Sequence, residues 1–404
     1  MNASASNDKQ GFIPFHVPSI GPEEIDEVVD ALKSGWLTTG PKTAAFEKKF
    51  KEYVGAQHAQ AVNSCTAGLH LAMAAKEIGM GDEVITTPYT FAATGETIIQ
   101  TGADPVLVDV ERNGFNIDPD RIEEAITPRT KAIIPVHFAG EPCRMEELQD
   151  IAYRHGLVLI EDAAHALGAS YHGKAIGTIS DATVFSFYAT KNLTTGEGGM
   201  VTTHDKEYFD QIRQLSLHGL SRDAWNRYAK GGSWYYEIKN AGFKYNLTDI
   251  QSAIGLRQLD KFDAMQQKRH ELVQAYRENL QDMEELLLPY EPQNMVHAWH
   301  LFVLRLRPGF LTIDRNQFIQ LLTEQGVGTS VHFIPLHLHP FYQQVFGFKR
   351  GDFPNAEAAY DGAISLPLYP QMTLEAVEKI SLIVRAIVKK HHQTIHHYVK
   401  EEIC

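Results

Sequence analysis

The 404-residue chain has few cysteines, and they are scattered. Cys65, Cys143 and Cys404 form no CxxC pair, which argues against a disulfide framework and against a structural zinc site. No apolar run is long enough to span a bilayer. The N-terminus, MNASASNDKQ, lacks both a basic n-region and an apolar h-region, so no secretory signal is read there. Positive charge is also short: Lys and Arg number 37 against 50 Asp and Glu, a formal net charge of -13. That balance argues against a basic groove for nucleic acid. Internal repeats and low-complexity linkers are missing too. Together these absences predict a cytoplasmic protein with no nucleic-acid partner, no membrane insertion and no metal site. The tail HHQTIHH (His391–His397) places His392 and His396 at helical i, i+4 spacing, but no third ligand accompanies them, so a solvated tail is expected.

What is present is a strand–helix alternation. Residues 1–11 are polar and predicted to be disordered. PEEIDEVVDALKSG, from Pro22, reads as an amphipathic helix, with Ile25, Val28, Val29 and Leu32 on one face and Gly35 after the last turn. Trp36–Pro41 reads as a loop, and a second helix starts near Thr43. Apolar runs near 59–63, 83–87, 105–109, 131–136 and 157–160 alternate with helical stretches near 67–78, 92–101, 119–126 and 144–155. This spacing predicts a mostly parallel sheet with helices on both faces, extended by strands near 182–187 and 199–203. After about residue 248 one long helical pattern leads into a smaller α+β region. There, 299–306 and 329–333 read as strands, and 315–325 and 374–390 as helices. The predicted domains are 12–255, a large α/β unit, and 256–404, a small C-terminal α+β unit.

Ligands of such sheets sit beyond the carboxyl ends of the strands, so the residues just after each apolar run carry the chemistry. Asp162 ends one run. A carboxylate there is costly unless paired; a helix cap or a structural ion pair explains an isolated one, and a protonated ring nitrogen is the functional alternative. Lys191 follows another run and precedes Gly196, Gly198 and Gly199. A lysine in that setting loses part of its hydration, which lowers its pKa and makes its amine able to condense with an aldehyde. NSCTAGL (63–69) passes from strand into helix and can form an anion cradle with Cys65 and Thr66, to which Ser186 could add a hydroxyl. Plain capping by Ser64 or Thr66 is the simpler reading of that stretch. Phe91 follows a further strand and is either core or a stacking surface for a flat ring.

The combination SCTAGLHLA, GDEVITTPYTFAAT, RTKAIIPVHFAG, LIEDAAHALGA, FSFYATKNLTTGEGGM and YNLTDIQSAIGLRQL resembles the DegT/DnrJ/EryC1/StrS nucleotide-sugar aminotransferases over Phe15 to Ile387. These are pyridoxal-phosphate enzymes of the fold type I transferase class. SGWLTTGPKT, ITPRTKAIIPVH, GFKYNLTDI, VHAWHLF and GVGTSVHF are most similar to the UDP-4-amino-4-deoxy-L-arabinose aminotransferase branch. The resemblance implies a cofactor cycling between pyridoxal and pyridoxamine phosphate (PLP and PMP). In it, Lys191 would bond the cofactor and move the proton, Asp162 would hold the pyridine nitrogen, and His165 would lie near the ring. Some relatives carry Gln at the position of His165. Cys65, Thr66 and Ser186 would bind the phosphate and Phe91 would stack on the ring. Asn246 would reach the neighbouring subunit's cofactor, which implies a homodimer with shared sites. Trp36, Thr38 and His332 would sit near the sugar.

The function this implies is amino transfer from L-glutamate to a nucleotide-linked 4-keto sugar. The same chemistry on a 3-keto sugar or a cyclitol ketone is the nearest alternative. A non-catalytic cofactor-binding regulator is another class of reading, opposed by the intact Asp162, His165, Ser186 and Lys191 set. Sugar choice is expected to lie in Trp36–Thr39, the 220–240 loop and His332.

Overall fold

The computed structural model describes residues 11–220, 235–291 and 293–393. The N-terminal stretch expected to be disordered and the tail beyond Gln393, including His396, lie outside the described residues, apart from Gly11. Two helices open the chain, α1 (Pro22–Ser34) and α2 (Pro41–Val54). Proline at the first turn presets helical φ, Glu23 and Glu24 face the positive end of the α1 dipole, and Gly35 closes α1 at φ 80°.

The alternation follows: β1 (His58–Val62), α3 (Cys65–Ala75), β2 (Glu83–Thr86), α4 (Ala92–Thr101), β3 (Asp104–Leu107), the short α5 (Ile122–Ala125), β4 (Thr130–Ile134), α6 (Met145–His155) and β5 (Val158–Asp162). A small hairpin, β6 (Ser170–Tyr171) and β7 (Lys174–Ala175), precedes β8 (Ala182–Ser186), β9 (Gly199–Thr203) and α7 (Lys206–Ser216). The sheet has seven strands in the order β1-β9-β8-β5-β4-β2-β3. β3, β2, β4, β5 and β8 are parallel, while β9 runs antiparallel to both β8 and β1. The expected extension by the last two strands is therefore present, but its outer member is reversed.

Both faces of this sheet are buried, as a parallel sheet requires. Phe46, Phe50, Phe185 and Phe187 pack edge-on or tilted on one side. Leu69, Leu71, Ile160, Val184 and Val201 fill the other. The close approach of α3 depends on Gly68, where a Cβ would lie 2.5 Å from Val184 Cγ1.

Helices α8 (Asp249–Asp260) and α9 (Phe262–Leu280) lead to a second region. It holds β10 (Leu286–Leu287), β11 (Met295–Val296), β12 (Phe302–Leu306), α10 (Arg315–Glu324), α11 (Pro340–Phe346), α12 (Pro354–Gly362), β13 (Ala363–Leu366) and α13 (Leu374–His391). Strands β10, β12 and β13 form an antiparallel sheet, and β11 pairs instead with the β6–β7 hairpin. Among the described residues no helix is long and apolar enough to cross a membrane.

Three sequence expectations are corrected here. The single long helix after residue 248 breaks at Lys261 (φ -108°, ψ 7°). Lys261 Nζ is drawn to the buried Glu24 at 2.6 Å and Phe262 packs edge-on against Tyr53, so apolar spacing continues while the axis does not. The strand expected at 299–306 begins only at Phe302. Before it, Ala298, His300 and Leu301 donate backbone hydrogen bonds to Gly140 and Ala139 carbonyls, and Trp299 sits at φ 45°. The strand expected at 329–333 is a lone bridge between Ser330 and Ser365. Pro335 has no N–H for a ladder, and the Leu336 N–H donates to Pro88 O instead. In the tail, His392 Nδ1 meets Glu285 Oε1 at 2.8 Å.

Candidate active site

The carboxyl ends of β1, β5 and β8, with the start of β9, bring chemistry to one edge of the seven-stranded sheet. Asp162 ends β5 and is 5% exposed. Thr94 Oγ1 donates to its Oδ2 at 2.7 Å and the Ala164 N–H to its Oδ1 at 3.1 Å. Cys65 Sγ lies 4.0 Å from Oδ1. Burial raises the Asp162 pKa, opposed by the Thr94 and Ala164 hydrogen bonds and by the positive charge of Lys191. Its neighbour Glu161 points to the other face, as strand alternation requires. There Thr183 Oγ1 at 2.7 Å and His137 Nε2 at 2.8 Å satisfy it, and the Cys143 N–H donates to His137 Nδ1. Only one member of the acidic pair belongs to the site.

Lys191 lies in the loop from β8 to β9. Phe187 and Gly198 pair through the backbone, Thr195 N–H donates to Phe187 O, and Lys191 N–H donates to Tyr188 O. Burial lowers the Lys191 pKa to about 8, with Cys65 and Asp162 resisting the fall. Asn192, next in the chain, is buried and donates to Gln266 Oε1 and Ala298 O.

The cradle forms at the tip of α3. Ser64 Oγ accepts from Ala67 N–H at 3.0 Å and Ser64 O from Gly68 N–H, so the capping expected of Ser64 is real. The Cys65 and Thr66 N–H groups are left as orphan donors at the positive end of the helix. A Cβ at Gly199 would lie 2.8 Å from Cys65 N, Ser64 C and Phe185 O, so the tip rests directly on β9. Ser186 ends β8 opposite Gly199. Burial and Asp162 keep the Cys65 thiol protonated, its pKa well above the ordinary value.

His165 is buried, and its Nδ1 accepts from Ala139 N–H at 3.1 Å, which puts the neutral ring's proton on Nε2. Burial and the nearby Lys191 hold it neutral. Phe333 stacks on it at 5.8 Å, and Phe91 lies 5.7 Å from Phe333 at 50°. Phe91 itself is 62% exposed, so the core alternative for it fails.

Cys65 and Asp162 meet directly, and the charge of Lys191 acts on Cys65, Asp162 and His165; Thr66 follows Cys65 at the α3 tip, Ser186 ends β8, and Phe91 lies beside Phe333. His332 is nearby, hydrogen-bonded to Ser365 Oγ at 2.9 Å and stacked on Phe15 at 5.5 Å. Trp36, Thr38 and Asn246 form a separate group. Asn246 bridges Val62 and donates to Thr39 Oγ1 at 2.7 Å, Thr38 O accepts from Asp249 N–H, and Trp36 packs beside Gly40. Of the 220–240 loop, residues 221–234 lie outside the described residues.

Sequence reasoning missed Thr94, Phe333, His16 and His300. His300 lies 4.3 Å from His165 and donates through Nδ1 to Asn192 Oδ1 at 3.0 Å, since the Asn192 amide nitrogen is already committed as a donor. The one available signal was its place just before an apolar run.

The set suits a flat, singly phosphorylated aromatic aldehyde. The α3 tip offers orphan N–H donors, β5 a buried carboxylate, and the β8–β9 loop an amine of lowered pKa that is coupled electrostatically to Cys65 and Asp162. Among the described residues, no cluster of three or more His, Cys, Asp or Glu is placed to hold a metal.

The profile of the DegT/DnrJ/EryC1/StrS aminotransferase family matches residues 18–385. The spore coat polysaccharide biosynthesis protein SpsC of Bacillus subtilis is 53% identical over 379 residues, covering 94% of this chain and 97% of that protein. A putative sugar aminotransferase of Streptococcus pneumoniae, solved in its PLP form, superposes with a TM-score of 0.88 at 35% identity, over 94% of this chain and 99% of that one. PseC of Helicobacter pylori, an aminotransferase of pseudoaminic acid biosynthesis, gives 0.87 at 31% identity, over 94% and 100%.

Proposed function

The chain belongs to the DegT/DnrJ/EryC1/StrS aminotransferase family, and on that premise we propose that it moves an amino group from L-glutamate to a nucleotide-diphosphate-linked 4-keto sugar. It is a PLP-dependent sugar aminotransferase. The observation that carries the amino-transfer reading is the buried Asp162, coupled to the pKa-lowered Lys191, beside the α3 tip. What favours a 4-keto sugar is the similarity of SGWLTTGPKT, GFKYNLTDI, VHAWHLF and GVGTSVHF to the UDP-4-amino-4-deoxy-L-arabinose branch.

When bound, pyridoxal phosphate supplies an electron sink for the carbon that loses its proton. The Cys65 and Thr66 N–H groups and the Ser186 hydroxyl would hold its phosphate. Asp162 would keep the ring nitrogen protonated, and that partner would offset the cost of burying the carboxylate. His165, with its proton on Nε2, would lie near the ring, and Phe91 would cover it. Lys191 Nζ, with a pKa of about 8, carries enough free amine near neutral pH to act as nucleophile and then as the base that moves the proton. His332 would contact the sugar of its own subunit's site, and Trp36 and Thr38, grouped with Asn246, that of the partner's. Asn246 serves the partner's site in a homodimer, so mixing inactive Lys191→Ala and Asn246→Ala subunits should restore activity that neither has alone.

The deciding assay offers UDP-, dTDP- and GDP-linked 3-keto and 4-keto sugars, and cyclitol ketones, with glutamate. Turnover of a 4-keto sugar supports the proposal, and turnover of 3-keto sugars or cyclitol ketones alone overturns it. Failure of every amino acid to change the cofactor's absorbance would leave a cofactor-binding regulator.

A further inference from the structure

We propose that a small cavity among His16, His300 and His332 holds a carboxylate of the amino-acid donor, with His16 as its hydrogen-bonding partner. This rests on the aminotransferase reading above and adds where the donor is gripped.

The cavity measures about 10 Å³ and is lined by Phe15, His16, Thr190, His300, His332 and Leu366, among others. That is room for one water-sized group, such as a carboxylate oxygen. Thr190 places it directly beside Lys191. His16 Nε2 is buried there with no partner among the described residues. A buried polar atom without a partner costs free energy unless a ligand completes it. The imidazole packs edge-on against Tyr369 at 6.1 Å.

The surrounding charge is of one sign. Arg269 is 1% exposed, and its Nη1 donates only to carbonyl oxygens, those of Trp299, His300 and Leu368 at 3.3, 3.5 and 3.0 Å. Its Nε has no partner, and no carboxylate among the described residues forms an ion pair with it. Lys191 adds a second cation while its amine is free. A buried cation with no counter-ion is unfavourable, and an entering anion supplies what is missing.

The histidines are set to take up a proton with that anion. Burial and then Arg269 hold His16 down to about 4, and burial and then Lys191 do the same for His332. His300 is also well below its ordinary value, through burial, His165 and Lys191. His300 spends its one N–H on Asn192, so its Nε2 is a bare lone pair. His332 Nδ1 is engaged with Ser365. Protonation of His16 makes Nε2 a donor whichever tautomer the neutral ring takes. Facing His16 are the cations Arg269 and Lys191 and the phenol of Tyr369. Carboxylate binding therefore raises the His16 pKa and draws in a proton, and affinity strengthens as pH falls between the bound-state value and about 4.

The test uses the PLP-loaded enzyme and glutarate, which carries glutamate's two carboxylates without its amine. Glutarate competition against glutamate is measured in wild type, His16→Leu and His16→Gln, with calorimetry at pH 6.5 in two buffers of different ionisation enthalpy. His16→Leu should weaken glutarate roughly tenfold or more, as expected for loss of a hydrogen bond to a charged group, with cofactor absorbance unchanged. His16→Gln, which keeps an N–H, should recover most of the affinity without proton uptake. Glutarate affinity in His16→Leu within twofold of wild type would overturn the assignment. So would equal proton uptake in wild type and His16→Gln. If no amino acid alters the wild-type cofactor's absorbance, the aminotransferase reading fails, while the glutarate measurements still decide the cavity.

Discussion

Substituting Thr94 by Val separates a catalytic Asp162 from a structural one. The two side chains are nearly isosteric, so packing is kept while the hydroxyl is lost. Asp162 then keeps the Ala164 N–H and loses the 2.7 Å donor to Oδ2. A hydrogen bond to a charged group contributes about 1.5–3 kcal/mol, which corresponds to roughly 10- to 100-fold in an equilibrium constant. The sign follows from burial. Asp162 already has a raised pKa in the cofactor-free protein, and removing a donor raises it further. The ionised carboxylate therefore destabilises the fold at neutral pH, an effect that disappears as pH falls through the raised value. Thr94→Val should thus lower the cofactor-free Tm at pH 7 more than at pH 4. A weaker carboxylate also holds the ring nitrogen less firmly. Titration of the cofactor-free protein with PLP, followed by absorbance, should show affinity reduced within that range. Affinity within twofold of wild type, with the same pH dependence, would refute the role given to Asp162.

Cofactor capture by Lys191 should rise with pH to a midpoint near 8, because burial lowers the amine below its ordinary value; stopped-flow absorbance would show it, and Asp162→Asn should move the midpoint lower still. Gly199→Ala places a methyl group 2.8 Å from the backbone of Ser64 and Cys65, an overpacking of about 1–3 kcal/mol that should fall mainly on phosphate affinity, read by PLP titration. His137→Leu removes one partner of the fully buried Glu161 and should cost about 3–5 kcal/mol, a large fall in Tm in calorimetry. The bound-cofactor spectrum at low temperature should survive that change, since the pair faces away from the site.

The strands and their order of appearance were legible because each apolar run is short, β-rich and bounded by helix-period sequence. Asp162 and Lys191 were legible for the same reason: each directly follows a run, where an α/β sheet places its ligands. Asp162 was named over Glu161 from its place at the end of the run, and what the sequence did not show is that strand phase turns Glu161 to His137 and Thr183. The reversal of β9 was hidden, since apolar content carries no direction. His300 and His16 were hidden for a different reason. His300 reaches His165 because residues 298–301 bond to the Ala139 and Gly140 carbonyls, contacts some 160 residues apart in sequence. The kink at Lys261 was masked by apolar spacing that runs through it unbroken.

The loop between β8 and β9 has both ends fixed, at Ser186 beside Gly199 and at Phe187 beside Gly198 and Thr195. Its residue count is therefore a dimension of the machine. One inserted residue would leave the strands registered yet slide the amine along its own tether, out of line with the carboxylate on β5. In laboratory evolution of this scaffold, every viable clone should then keep the twelve-residue span between Ser186 and Gly199.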